Sequence, residues 1–175
     1  LTHGENCSLT ILANQVSDVD ANDPPDNMVF NFVVGFTAFD VCAAPYTSTY
    51  TIQGSGLSSP LVGTVVTTKG VVVGDFETAT GQQGFYLQDL AGDGDSATSD
   101  GIFVFTGSSD LVSAGQVVRV TGTVRERFDQ TSITGGTTST PVPAANIVNC
   151  GPGSVSVTDV YIPFTSVDEP ERFEG

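Results

Sequence analysis

Residues 89–105, DLAGDGDSATSDGIFVF, place Asp89, Asp93, Asp95 and Asp100 in one short stretch with three glycines. Carboxylates this close repel one another unless a cation stands among them, and glycine lets the backbone turn tightly enough to gather their oxygens. Oxygen donors in an adaptable loop suit Ca2+, which accepts about six to eight of them. The fixed spacing and terminal glutamate of an EF-hand are missing. A second acidic loop, Asp18-Val-Asp20-Ala-Asn22-Asp23-Pro-Pro-Asp26, follows the first half of a D-x-D-x-N calcium pattern but has no glycine at its sixth position and no glutamate at its twelfth. Asp18, Asp20, Asn22, Asp23 and Asp26 form the second candidate set. The competing reading is a solvated acidic hairpin loop for the first and, for the second, an Asx-turn loop whose side chains cap their own backbone. A bound ion would be structural, stabilising by mass action and by relief of repulsion.

Lysine and arginine number 5 against 20 aspartates and glutamates, a net charge of −15. As a whole-molecule average this repels nucleic acid and anionic membrane, so a polyanion needs a local exception. Lys69, Arg119, Arg125 and Arg127 supply one. The three arginines share parity and in an unbroken strand project from one face, with Val118, Val120 and Val124 turned to the core, unless Gly122 shifts the register. Phe85, Tyr86, Phe103 and Phe105 stand on neighbouring strands. Aromatics beside a basic stripe are the equipment for single-stranded nucleic acid. Alternation nevertheless sends about half of these rings inward, and packing aromatics with acid-paired arginines are the alternative.

Catalytic equipment is thin. No G-x-S-x-G, P-loop or H-E-x-x-H occurs, His3 is the single histidine, and no catalytic residue is assigned. The chain reads as a non-enzyme. Cys7, Cys42 and Cys150 show no C-x-x-C spacing. Low lysine, abundant Ser/Thr/Gly/Asp and the acceptor triplet Asn6-Cys7-Ser8 point to an exported protein, in which Cys7 and Cys42 could bridge; three free thiols are the alternative. No stretch approaches the roughly 18 apolar residues of a membrane span. The opening LTHGENC is neither an initiator methionine nor a signal peptide, as expected of a processed or excised chain.

The elements that must position these residues are β-strands, because β-branched residues alternate and glycine or Ser/Thr punctuation recurs about every ten residues. Strands are expected at 7–12 and 28–39, and 45–60 reads as a connector with one short extended piece. From 61 to 152 the order is a long strand with a mid-run glycine (61–77), strands at 81–90 and 101–107, a helical turn at 108–115, a long strand at 115–133 and a fifth at 141–151. Three strands, a helical turn and two strands are the order of a five-stranded Greek-key barrel of the oligonucleotide/oligosaccharide-binding (OB) type. Residues 153–175 read as an extended tail. The fold class is all-β.

The words YTIQGSGLSSPLVGTVVTTKGVVVGDFE, GFYLQDLAGDGDSATSDGIFVF and VVRVTGTVRERF, in that order, resemble the OB-fold domain of bacterial secreted nucleases. VSDVDANDPPDNMVFNFVVGFT is similar to the last strands of a bacterial Ig-like module, so 1–44 reads as an incomplete Ig-like segment. VYIPFTSVDEPERFEG resembles the linker that leads on to the catalytic domain of those nucleases. The resemblance implies an extracellular accessory module that positions nucleic acid or a neighbouring domain, with nuclease chemistry in a domain this chain does not include. The competing reading is a structural subunit that assembles with copies of itself by strand complementation into a filament or surface layer.

Overall fold

The computed structural model describes residues 40–157 other than 79 and 96, together with 160, 162–165, 170 and 173. The chain divides into two compact units, Leu1–Ala43 and Ala44–Gly175. The strands expected at 7–12 and 28–39, the loop carrying Asp18, Asp20, Asn22, Asp23 and Asp26, and His3 and Cys7 lie outside the described residues.

In the second unit, alternation does what the sequence requires of it. Six strands, β1 (Val65–Phe76), β2 (Gly84–Gln88), β3 (Gly101–Phe105), β4 (Gln116–Arg127), β5 (Gln130–Thr134) and β6 (Ile147–Pro152), follow one short helix, α1 (Thr49–Gln53). Hydrogen-bonded neighbours run β1-β2-β3-β5-β4-β6, and β1 also pairs with β4. The first five strands therefore close into a ring, with β3 and β5 parallel and the other pairs antiparallel. The ring is all-β, the class expected from the sequence. Its interior is filled from alternate positions: Val66 and Val72 of β1, Phe85 and Leu87 of β2, Ile102 and Val104 of β3, Val118, Val120 and Val124 of β4, and Ile133 of β5.

Two glycines sit where a strand changes neighbours. Residues 65–71 of β1 pair with β4 and residues 71–76 pair with β2, so Gly70 stands at the corner. A Cβ there would meet the Gln88 carbonyl oxygen at 2.3 Å and its carbon at 2.8 Å, both backbone atoms with no rotamer to escape into. Gly70→Ala should therefore cost about 1–3 kcal/mol, the usual range for overpacking, read as a lower urea midpoint with an unchanged slope. Gly122 does the same for β4, which passes there from β1 to β5. The register across Gly122 is unbroken, so Arg119, Arg125 and Arg127 do share the outer face. The bulge in β1 falls later, between Val72 and Gly74.

Three expectations are corrected. The long strand at 115–133 is a hairpin, because Phe128 and Asp129 both take positive φ (56° and 62°) and turn the chain between Arg127 and Gln130. The fifth barrel strand is thus 130–134, and the run at 141–151 supplies β6, added alongside the first half of β4. No helical turn forms at 108–115, where the Leu111 and Val112 N–H groups are drawn instead to the buried carboxylate of Glu77. The helix lies in the expected connector. Its Ile52 enters the core, while Thr49 Oγ1 donates to the Asp100 carbonyl and Gln53 Nε2 to the Gly101 carbonyl, tying α1 to the start of β3.

Candidate functional site

The outward face of β2 and β3 carries Gly84 and Tyr86 beside Phe103 and Phe105. Tyr86 and Phe103 are register partners with ring centroids 5.1 Å apart, and Phe76 of β1 meets Tyr86 edge-on at 6.0 Å. Room for the Phe103 ring comes from Gly84, where a Cβ would lie 2.5 Å from Phe103 Cζ. Two connections rise beside this face. The β1–β2 loop brings Gln82 and Gln83, and the β4–β5 turn brings Phe128, with Arg127 and Gln130 at its base. Together with Tyr86 and Phe103 they line a shallow groove of about 340 Å³.

Arg127 is held in place before any ligand arrives. Its guanidinium lies 4.1 Å from the Phe105 ring centroid and 4.7 Å from that of Phe128, and Nε donates to the Thr138 carbonyl at 3.1 Å. Burial lowers its pKa from the usual arginine value. Phe128 is 87% exposed and left-handed. Two-residue hairpin turns with positive φ at both positions favour Asn-Gly or Asp-Gly, and a bulky side chain there is an outlier. Of the three non-glycine residues with positive φ among those described, Gln83 and Phe128 both line the groove.

The structure sorts the nucleic-acid candidates. Tyr86, Phe103 and Arg127 come together. Phe85 is fully buried in the core. Arg119 spends its guanidinium on the carbonyls of Ala44 and Pro45 at 2.7 and 2.6 Å, and Arg125 donates to the Gly136 carbonyl at 2.7 Å. Lys69 lies over the Tyr46 ring at 4.8 Å. The even stripe inferred from parity is thus divided among structural carbonyls, leaving one guanidinium in the groove. Gln82, Gln83, Phe128 and Gln130 were not singled out from the sequence; the turn that carries Phe128 has no Asn-Gly signal.

The acidic residues sort as well. In the β2–β3 loop Asp93 Oδ1 accepts the Asp95 N–H and Oδ2 the Thr98 hydroxyl, while Asp95 Oδ1 accepts the Ala97 N–H. These two aspartates serve the loop's own backbone. Asp89 Oδ1 accepts the Ala91 and Gly92 N–H groups, but Asp89 Oδ2 and Asp100 Oδ1 are buried without a hydrogen-bond partner. Burial first, then the charges of Asp93 and Asp89, raises the Asp100 carboxyl above its ordinary value against an opposing Asp93 N–H bond. A further triad, Asp75, Glu77 and Asp110, has ligand oxygens within 4.8 Å of one another and could hold a metal. The distance between GDFE and SSD in the chain hid it. Glu77 Oε1 accepts the Thr106 hydroxyl at 2.7 Å, and Oε2 accepts the Leu111 and Val112 N–H groups at 2.8 and 3.0 Å.

Cys42 and Cys150 are both disulfide-bonded, and Cys7, of the expected Cys7–Cys42 bridge, lies outside the described residues. Spacing alone could not choose among the three possible pairs. No helix among the described residues is long and apolar enough to cross a membrane. No protein-family model, curated protein or solved structure matches the chain.

Proposed function

We propose that this chain is a non-catalytic, exported accessory module of a secreted-nuclease-like protein, and that its barrel holds a short single-stranded nucleic-acid segment in the groove between the β1–β2 loop and the β4–β5 turn. The observation that carries this reading is Phe128, an exposed ring kept in a strained backbone conformation at the tip of a hairpin and backed by a pre-positioned arginine. Strain of this kind persists where the surroundings over-determine it and clusters at ligand clamps. A base stacks on the free face of Phe128, Arg127 meets an adjacent phosphate, and the amides of Gln82, Gln83 and Gln130 offer donors and acceptors to base edges. The β2–β3 face and these two connections are where OB folds take oligonucleotides. A disulfide within the chain agrees with an oxidising, extracellular setting. Calcium belongs to the same reading as a structural ion.

With one guanidinium in the groove and a net charge of −15, stacking rather than counterion release must supply the affinity. Anisotropy titration of a short unstructured single-stranded oligonucleotide should show saturable binding whose log K falls with log salt at a slope of about −0.7 to −1.4, one or two phosphate contacts. Absence of binding at low salt, with and without Ca2+, would sink the reading, as would equal binding of a neutral oligosaccharide.

A further inference from the structure

We propose that Asp89 and Asp100 supply the carboxylates of a divalent-cation site of the calcium class, built where the β2–β3 loop meets α1. The acidic loop alone does not carry this. What carries it is that Asp89 is only 5% exposed and presents a buried oxygen, Oδ2, without a hydrogen-bond partner, in the same loop where Asp100 Oδ1 is also buried and unpartnered. Buried polar oxygens are nearly always satisfied, and an orphan asks for an explanation such as an ion. While both are ionised the two orphaned acceptors cannot satisfy each other, and carboxylate oxygens are hard donors that suit Ca2+.

The surrounding chain is fixed as a preformed site requires. The Asp89 N–H donates to the Asp100 carbonyl at 2.8 Å, closing the base of the loop, and that carbonyl also accepts from Thr49 of α1. Gly92 lets the backbone approach: a Cβ there would meet Asp100 Oδ2 at 2.4 Å, and its φ is +63°. The triad of Asp75, Glu77 and Asp110 is the weaker candidate, because hydrogen bonds to the protein already occupy both Glu77 oxygens. Asp93 and Asp95 act as loop-forming residues. The ion's role is to lock the β2–β3 loop against α1, and the site shares no residue with the nucleic-acid groove, so its test is independent of binding in that groove.

Tyr46 offers a local reporter, since its hydroxyl feels the charge of Asp89 and its pKa is raised by burial and then by that charge. In the full chain, Tb3+ should give luminescence under tyrosine excitation that Ca2+ displaces, and Ca2+ should raise the melting temperature in proportion to the logarithm of its concentration once the site is saturated. Tyr46→Phe should lower the luminescence and keep the calcium shift. Asp100→Asn, at a half-buried position, places a donor beside Asp89. It should melt higher than the native chain in chelator, yet lose the calcium shift and the Tyr46-dependent luminescence. A variant carrying Asp18→Asn and Asp20→Asn should retain both. A calcium shift and luminescence left unchanged by Asp100→Asn overturn the proposal, and so does a native chain that gives neither signal.

Discussion

Glu77→Ala is expected to destabilise the protein by about 3–5 kcal/mol, the cost of orphaning several donors at once and opening a cavity. Glu77 is 1% exposed, and its carboxylate gathers the Thr106 hydroxyl and the Leu111 and Val112 N–H groups. That gathering fixes the crossover from β3 to β4, which forms no helix and has few other ways to satisfy its backbone. Alanine leaves the buried Thr106 and Val112 donors and the part-buried Leu111 N–H without their acceptor and opens a cavity, so the desolvation and packing losses add. Glu77→Gln keeps the shape and one acceptor but turns an NH2 toward a donor, and should fall between alanine and the native chain. Asp75→Asn and Asp110→Asn, at exposed positions of the same triad, should stay within about 0.5 kcal/mol. Urea unfolding in chelator and again in saturating calcium checks the series. If instead the two aspartate variants lost calcium-dependent stability, the triad would be a cation site rather than a structural knot.

What the sequence disclosed depended on the range over which each feature is specified. Val118, Val120 and Val124 announce their face through alternation, and the mid-run Gly70 announces a bulge or a corner, because both are local properties of a strand in a sheet. Tyr86, Phe103 and Arg127 could be proposed from residue type and parity. Their separation from Arg119 and Arg125 could not, since it depends on carbonyls contributed by residues 44, 45 and 136. TYTIQ, residues 49–53, has the β-branched composition of a strand, yet it forms α1 because Ile52 enters the core and Thr49 and Gln53 find β3 carbonyls. Tertiary contacts outweigh a weak propensity there. The hairpin at 128–129 was illegible for the opposite reason: its turn residues violate the local rule that normally reveals a turn. Of the four aspartates in the β2–β3 loop, composition could not say which cap their own backbone and which are left with an orphaned oxygen.

That violation makes Phe128→Asn the sharpest test of the groove, because stability and affinity should separate. Asparagine tolerates left-handed backbone far better than phenylalanine, whose conformation here costs about 1–2 kcal/mol. Part of that relief is cancelled by losing the contact with Arg127, worth about 0.5–1 kcal/mol at an exposed site. The variant should therefore be as stable as the native chain or up to about 1 kcal/mol more stable. Its affinity for a short single-stranded oligonucleotide should fall by about fivefold or more, since base stacking on an aromatic contributes about 1–3 kcal/mol. Paired measurement of the melting curve and the binding isotherm separates the explanations. A more stable variant that binds less well means the strain is retained for the ligand. One that gains stability and binds as before makes Phe128 a tolerated imperfection, and the groove then loses the feature that distinguishes it from an ordinary patch of strand surface.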